Sequence, residues 1–268
     1  VSNAFGQVQG AMSYFVDAYT TIAQWCSVVR RLDGFNRHVG EALDLKSDLM
    51  IDNASNITVG IENVDVFLPN KNKDILIKDC TIDLMKYQSL LIMGASGVGK
   101  STLLRTLAGL WPYAKGNVYL PKEEEFLFLP QRPYLPLGSL RQAISYPVVE
   151  EVISEKYSDE EIKEILIACK LENLADKLDI VDDWSRILSL GEQQRIAFVR
   201  ILLYRPEFVF LDEATSALDE DLEGNLYDVL KIHLPNTKII SIAHRSSLIA
   251  KHQAILRLKE KGCWEIHE

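Results

Sequence analysis

Eight residues, Gly94-Ala95-Ser96-Gly97-Val98-Gly99-Lys100-Ser101, restrict the folds open to this chain more than any other stretch. They spell G-x-x-x-x-G-K-S. The apolar run Leu90-Leu91-Ile92-Met93 stands before them, and the helix-competent run Thr102-Leu103-Leu104-Arg105-Thr106-Leu107-Ala108 follows. A strand, a glycine-rich turn and a helix in that order form a phosphate cradle, the P-loop. Glycines let backbone N–H groups close around phosphate oxygens without interference from Cβ. The helix N-terminus adds partial positive charge. In such a loop Lys100 reaches the β- and γ-phosphates, and the Ser101 hydroxyl is a ligand for Mg²⁺.

The rest of the composition sets outer limits. With 268 residues the chain can bury a large core in one or two domains. A formal net charge of −9 without long basic runs leads us to expect no nucleic-acid partner. Cys26, Cys80, Cys169 and Cys263 are far apart and form no C-x-x-C, so reduced thiols are the expectation. No signal peptide or uninterrupted apolar span is recognisable. The chain opens on Val1, and a piece of a longer protein is expected.

Residues 1–39 differ from the remainder. Phe5, Val8, Met12, Phe15, Tyr19, Ile22, Trp25 and Val29 recur at spacings of three or four, a helical stripe. Its two readings are an amphipathic helix on a soluble core and the cytoplasmic end of the last transmembrane helix of a truncated membrane domain. Residues 40–56 are polar and irregular and read as a linker. From residue 57 to 268, strand patterns (Ile57–Ile61, Leu90–Met93, Val118–Leu120, Phe126–Leu129, Phe208–Leu211, Lys238–Ile242, Ile255–Leu258) alternate with helical ones (Lys100–Leu107, Asp159–Cys169, Gly191–Tyr204, Leu222–Ile232). That alternation around a P-loop predicts an α/β domain with a largely parallel sheet. Ser158 and Glu161 fit a capping box for the second helix. The acidic stretch from Glu150 to Glu164 reads as a solvated helix face.

A P-loop needs a second metal ligand and a group that organises water. Phe208-Val209-Phe210-Leu211-Asp212-Glu213 supplies both types, because four apolar residues make a buried strand ending in two carboxylates. Ligands of such sheets bind beyond the carboxyl ends of the strands. Asp212 is expected to hold Mg²⁺, directly or through water, and Glu213 to act as general base or to polarise the attacking water. Leu188-Ser189-Leu190-Gly191-Glu192, taken alone, also reads as a serine N-cap with Glu at N3.

Together these residues resemble the nucleotide-binding domain of ABC transporters. Gly94–Ser101 matches the family's Walker A element and Phe208–Glu213 its Walker B element. Leu188–Glu192 is similar to the LSGGQ signature, with Leu190 in place of its first Gly and Glu192 in place of its Gln. Gln131 matches the Q-loop, Ser216-Ala217-Leu218-Asp219 the D-loop, and His244 the switch histidine. Gly109-Leu110-Trp111-Pro112, Pro130-Gln131-Arg132-Pro133-Tyr134, Gly138-Ser139-Leu140-Arg141 and Tyr146-Pro147 resemble subfamily D, the peroxisomal fatty-acyl type, and its bacterial SbmA/BacA-like relatives.

The resemblance implies a P-loop NTPase fold of ABC type: a mainly parallel α/β core, an antiparallel β subdomain and a helical subdomain, preceded by a helical segment. It implies ATP and Mg²⁺ as cofactors, with Gly94, Ala95, Ser96, Gly97, Val98, Gly99, Lys100, Ser101 and Thr102 around the nucleotide. Ser101, Gln131 and Asp212 would hold the metal, and Glu213, His244 and Gln131 would serve hydrolysis. Ser189, Gly191 and Glu192 would meet the γ-phosphate bound by a second copy in a head-to-tail homodimer, and Asp219 the partner's P-loop. A transmembrane domain of the same polypeptide would be the other partner, at the cytoplasmic face of a bacterial inner membrane. Two departures carry expectations. Leu190 requires that the signature not need φ > 0 there. Leu68, with Phe67 beside it, falls where the family stacks an aromatic on adenine, which leaves room for GTP. The rival readings are a soluble ABC-type protein, a non-hydrolysing binding module and a P-loop kinase.

Overall fold

The computed structural model describes residues 2–43, 48–52, 59–69, 74–122 and 125–268. They fall into two units, residues 1–46 and 47–268. The first unit is one helix, α1 (Ser2–Leu43), as the three-and-four spacing predicts. Val8, Met12, Tyr19, Ile22, Trp25 and Val29 are exposed on it. No helix among the described residues is long and apolar enough to cross a membrane.

In chain order the second unit comprises β1 (Asp48–Asp52), β2 (Gly60–Phe67), β3 (Ile75–Asp83), β4 (Ser89–Gly94), α2 (Lys100–Leu107), β5 (Ala114–Tyr119), β6 (Phe126–Leu129), β7 (Gly138–Ser139), α3 (Leu140–Ser145), α4 (Glu150–Lys156) and α5 (Asp159–Ala168). Then follow β8 (Val181–Asp182), α6 (Trp184–Ile187), α7 (Leu190–Tyr204), β9 (Phe208–Asp212), α8 (Glu220–His233), β10 (Lys238–Ile242), β11 (Ala254–Leu258) and β12 (Trp264–His267). The central sheet has the order β12-β11-β4-β10-β9-β6, parallel except for β12. A second sheet, β1-β5-β2-β3, is antiparallel except for the β1–β5 pair.

The central strands are apolar at consecutive positions because both faces are covered. Leu91, Val209, Leu211 and Ile239 join the core built on α3, α5, α7 and α8. Leu90, Ile92, Phe208, Phe210, Ile240 and Ile242 join the core shared with α2 and the second sheet. Each strand thus splits its side chains by the two-residue period between two cores.

Two boundaries differ from the sequence reading. In the stretch expected to be a linker, residues 40–43 continue α1, and β1 pairs in parallel with β5. Only Leu49 of β1 is buried, so the strand carries no alternating pattern to read. The strand expected from Ile57 begins at Gly60 as β2, and residues 57–58 lie outside the described residues. β3 was hidden because its pairing with β2 is broken by register shifts between Ile61 and Phe67, and a bulge destroys the period. The acidic stretch makes two helices, α4 and α5, and the capping box of Ser158 and Glu161 is present.

Candidate nucleotide site

Strand register assembles the site. β4 and β10 end in register at Ile92 and Ile242, β10 and β9 at Ile242 and Asp212, and β9 and β6 at Leu211 and Leu129. The P-loop, His244, Glu213 and Gln131 each follow one of these ends by a residue or two. Four neighbouring parallel strands therefore deliver four distant segments to one edge, the carboxyl edge where such sheets bind ligands.

The loop between β4 and α2 is shaped by its glycines. Gly94 has φ 155°, and a Cβ there would lie 2.6 Å from the Leu258 carbonyl oxygen of β11. Gly99 caps α2 at φ 104° without a side chain, leaving the helix's first N–H groups open to an anion. The Lys100 ammonium curls over the loop, donating to the Gly94 and Ala95 carbonyls at 3.0 and 2.9 Å. Burial lowers the Lys100 pKa from the ordinary lysine value, with the Glu213 charge opposing. A buried ammonium whose bonds among the described residues go to two neutral carbonyls suits a stronger, anionic partner.

At the end of β9, Asp212 is buried, and its Oδ1 accepts from the Ser101 hydroxyl at 2.6 Å. Its Oδ2 faces the Arg105 guanidinium at 3.3 Å. A hard cation such as Mg²⁺ takes one or two protein oxygens and completes its shell with phosphate and water. The hydroxyl and carboxylate side by side suit that requirement.

Glu213 follows with φ 52°, a left-handed conformation that costs a non-glycine residue about 1–2 kcal/mol. The turn places its carboxylate between two partners. Oε1 lies 3.0 Å from His244 Nε2, and Oε2 accepts from Gln131 Nε2 at 3.2 Å. Lys100, Ser101, Gln131, Asp212, Glu213 and His244 thus form one cluster, as the sequence reading groups them.

The signature segment is built separately. Ser189 caps α7 in a capping box with Glu192, whose Oε2 accepts the Ser189 N–H at 3.0 Å and its hydroxyl at 2.8 Å. Asn173 donates to Glu192 Oε1 at 3.3 Å. Burial works to raise the Glu192 carboxyl, but the bonds from Ser189 and Asn173 and the Arg195 charge outweigh it and hold it below the usual range. Leu190 and Gly191 are the first residues of α7, and neither is at positive φ. A leucine is therefore accommodated where the family has glycine. Among the described residues, no hydrogen bond joins Ser189 or Glu192 to the Gly94–Ser101 loop. Asp219 accepts from Leu222 N at 2.8 Å as the cap of α8.

Several residues of the site escaped sequence reasoning. Arg105 stands one helical turn after Ser101, a spacing that puts both on one face of α2 but does not disclose that Arg105 meets Asp212. Glu223, nearly fully buried on α8, accepts from the Thr215 hydroxyl and pairs with Arg245 at 3.3 Å. Arg245 also donates to the Leu218 carbonyl at 2.5 Å, tying the residue after His244 to the segment after Glu213. Gln194 likewise joins three segments. These partners lie 8 to 63 positions apart along the chain, and no spacing rule connects them.

A family model described as ABC transporter matches residues 77–216, more than half of the chain. The chain belongs to the ABC transporter family. It is an ATP-binding domain of that family, whose domains hydrolyse ATP. An uncharacterized ABC transporter ATP-binding protein of Haemophilus influenzae is 49% identical over 191 residues, which cover 71% of this chain and 31% of that protein. One from Synechocystis is 37% identical over 276 residues, covering 99% of this chain and 41% of its own length. ATP-binding cassette sub-family D member 1 of Drosophila melanogaster is 36% identical over 224 residues, 81% of this chain and 30% of that protein. The matched residues thus span only 30% to 41% of the length of these three relatives. A bacterial Atm1-family ABC exporter with ATP bound shares the fold, with a TM-score of 0.64 over 79% of this chain and 39% of that one, at 24% identity. The ABC-type fold and the sub-family D resemblance both agree with the sequence reading.

Proposed function

We propose that this domain hydrolyses Mg-ATP between two copies arranged head to tail, and that this drives translocation by a membrane domain of the same polypeptide. The observation that carries the proposal is Glu213 held between Gln131 and His244, one residue beyond the Asp212–Ser101 pair. In this reading the Gly94–Thr102 segment binds the phosphates and Lys100 leaves the loop carbonyls for the β- and γ-phosphates. Ser101 and Asp212, with Gln131, would hold Mg²⁺, which neutralises phosphate charge when bound. Glu213 takes the proton of the attacking water, and His244 holds the carboxylate in place and contacts the γ-phosphate. Ser189, Gly191 and Glu192, at the N-terminus of α7, close the site of the partner copy. The place of action is the cytoplasmic face of a membrane, in the bacterial inner membrane, with α1 leading from the membrane domain.

The test is ATP turnover and ATP-dependent pairing of this chain beside Glu213→Gln. The parent should hydrolyse ATP slowly. The variant should lose about a hundred-fold or more of that rate, keep ATP binding and accumulate an ATP-stabilised pair. Undiminished hydrolysis by the variant would remove Glu213 from the mechanism. ATP binding without pairing or turnover in the parent would support a binding module instead.

A further inference from the structure

Gln194 is completely buried on α7, yet all of its amide's principal bonds leave the helix. Its Nε2 donates to the Gln131 carbonyl at 2.8 Å and to the Ser216 hydroxyl at 3.1 Å. Its Oε1 accepts the Ala217 N–H at 3.0 Å. The orientation of the amide is forced, because a backbone N–H must face its oxygen and a backbone carbonyl its nitrogen. One side chain thereby fastens three segments far apart in sequence. The first holds Gln131, whose own amide donates to Glu213. The second is Ser216-Ala217, which follows Glu213. The third is the start of α7, capped by Ser189 five residues before Gln194.

We propose that Gln194 is a positioning residue for ATP hydrolysis: it locks the Gln131 segment, the Ser216-Ala217 segment and the N-terminus of α7 into one unit. A change at the γ-phosphate that moves Gln131 then moves the helix end that presents Ser189. The inference rests on the proposed hydrolytic pair. Packing alone does not require glutamine here, since a buried amide stabilises only while all its partners are met. Glutamate is nearly isosteric and keeps the acceptor for Ala217 N–H, but sets a carboxylate oxygen against the Gln131 carbonyl. Methionine keeps the volume and discards all three bonds.

Gln194→Glu and Gln194→Met are compared with the parent for ATP affinity, kcat, KM and thermal unfolding, and each is repeated in Glu213→Gln for ATP-dependent pairing. The expected result is a kcat lowered about ten-fold or more in both, KM for ATP within about three-fold, and weakened pairing in the Glu213→Gln background. Ser216→Ala, which removes one of the three bonds, should lower kcat less, and its effect should vanish in Gln194→Met because the shared bond is already gone. A kcat equal to the parent's in both variants would overturn the proposal. So would equal losses of kcat and ATP affinity together with a lowered melting temperature, since those mark a structural role. Should Gln194→Met fail to fold, Gln194→Glu and Ser216→Ala still decide. A parent that binds ATP without turnover would defeat the hydrolytic reading itself, a result visible before any Gln194 variant is measured.

Discussion

Leu190 departs from the family pattern without straining the backbone. It occupies the first turn of α7 with helical backbone, so the position needs no left-handed conformation. Replacing it by glycine would restore the family residue but cost about 1 kcal/mol of helix stability. Leu190→Gly should therefore keep ATP turnover within an order of magnitude of the parent and unfold at slightly lower urea. A near-complete loss of turnover would show that the leucine side chain itself takes part. Glu213 is the opposite case: its φ of 52° is unfavourable for any side chain but glycine, and its place between His244 and Gln131 is what the strained turn gains. Of the four cysteines, Cys80 and Cys169 are buried with thiols pushed up to about 12, so neither is a reactive thiolate near neutral pH.

Behind the strand that leads to His244 lies a polar chain through β10. The Tyr227 hydroxyl donates to Ser241 Oγ at 3.0 Å, and His252 Nε2 lies 3.1 Å from the same oxygen. His252 Nδ1 faces the Leu248 carbonyl at 2.9 Å, so Nδ1 carries the proton and Nε2 accepts from Ser241. Burial lowers the pKa of His252 from 6.5 to about 4, the Leu248 bond opposing and the Lys231 charge adding to it. The folded state thus binds this proton less readily than the unfolded state. Above pH 6.5 the group contributes no pH dependence, and as pH falls from 6.5 towards 4 the unfolded chain gains a proton that the folded one refuses. Stability should drop across that window by at most about 3 kcal/mol. Urea unfolding of the parent and His252→Asn between pH 7 and pH 4 measures it. The substitution should flatten the slope, and an unchanged slope would assign the acid sensitivity elsewhere.

At the scale of the whole molecule the residues proposed to meet the nucleotide fall into two groups: Lys100, Ser101, Gln131, Asp212, Glu213 and His244 at one sheet edge, and Ser189 with Glu192 at the end of α7. A head-to-tail pair would join the first group of one copy to the second group of the other. Lys100→Ala and Ser189→Arg should each abolish turnover alone. Mixed together they should recover part of it, because one of the two composite sites then has an intact lysine and an intact serine. Turnover that stays absent in the mixture, with ATP binding retained by Ser189→Arg, would refute the shared site. The sequence by itself determined the family of this chain and the candidate residues of its site. The P-loop, the acidic end of β9 and the signature are contiguous, and local rules of strand, glycine turn and helix cap make contiguous motifs legible. It also determined the central strands, whose apolar runs mark a sheet covered on both faces. It did not disclose β1, whose burial is a single leucine, or β3, whose period is broken by bulges. Only the tertiary structure decided that Arg105 faces Asp212, that Glu223 joins Thr215 to Arg245, and that Gln194 holds Gln131 and Ala217. Those pairings follow from strand register and helix packing, which bring distant residues within hydrogen-bond reach and leave no periodic trace along the chain.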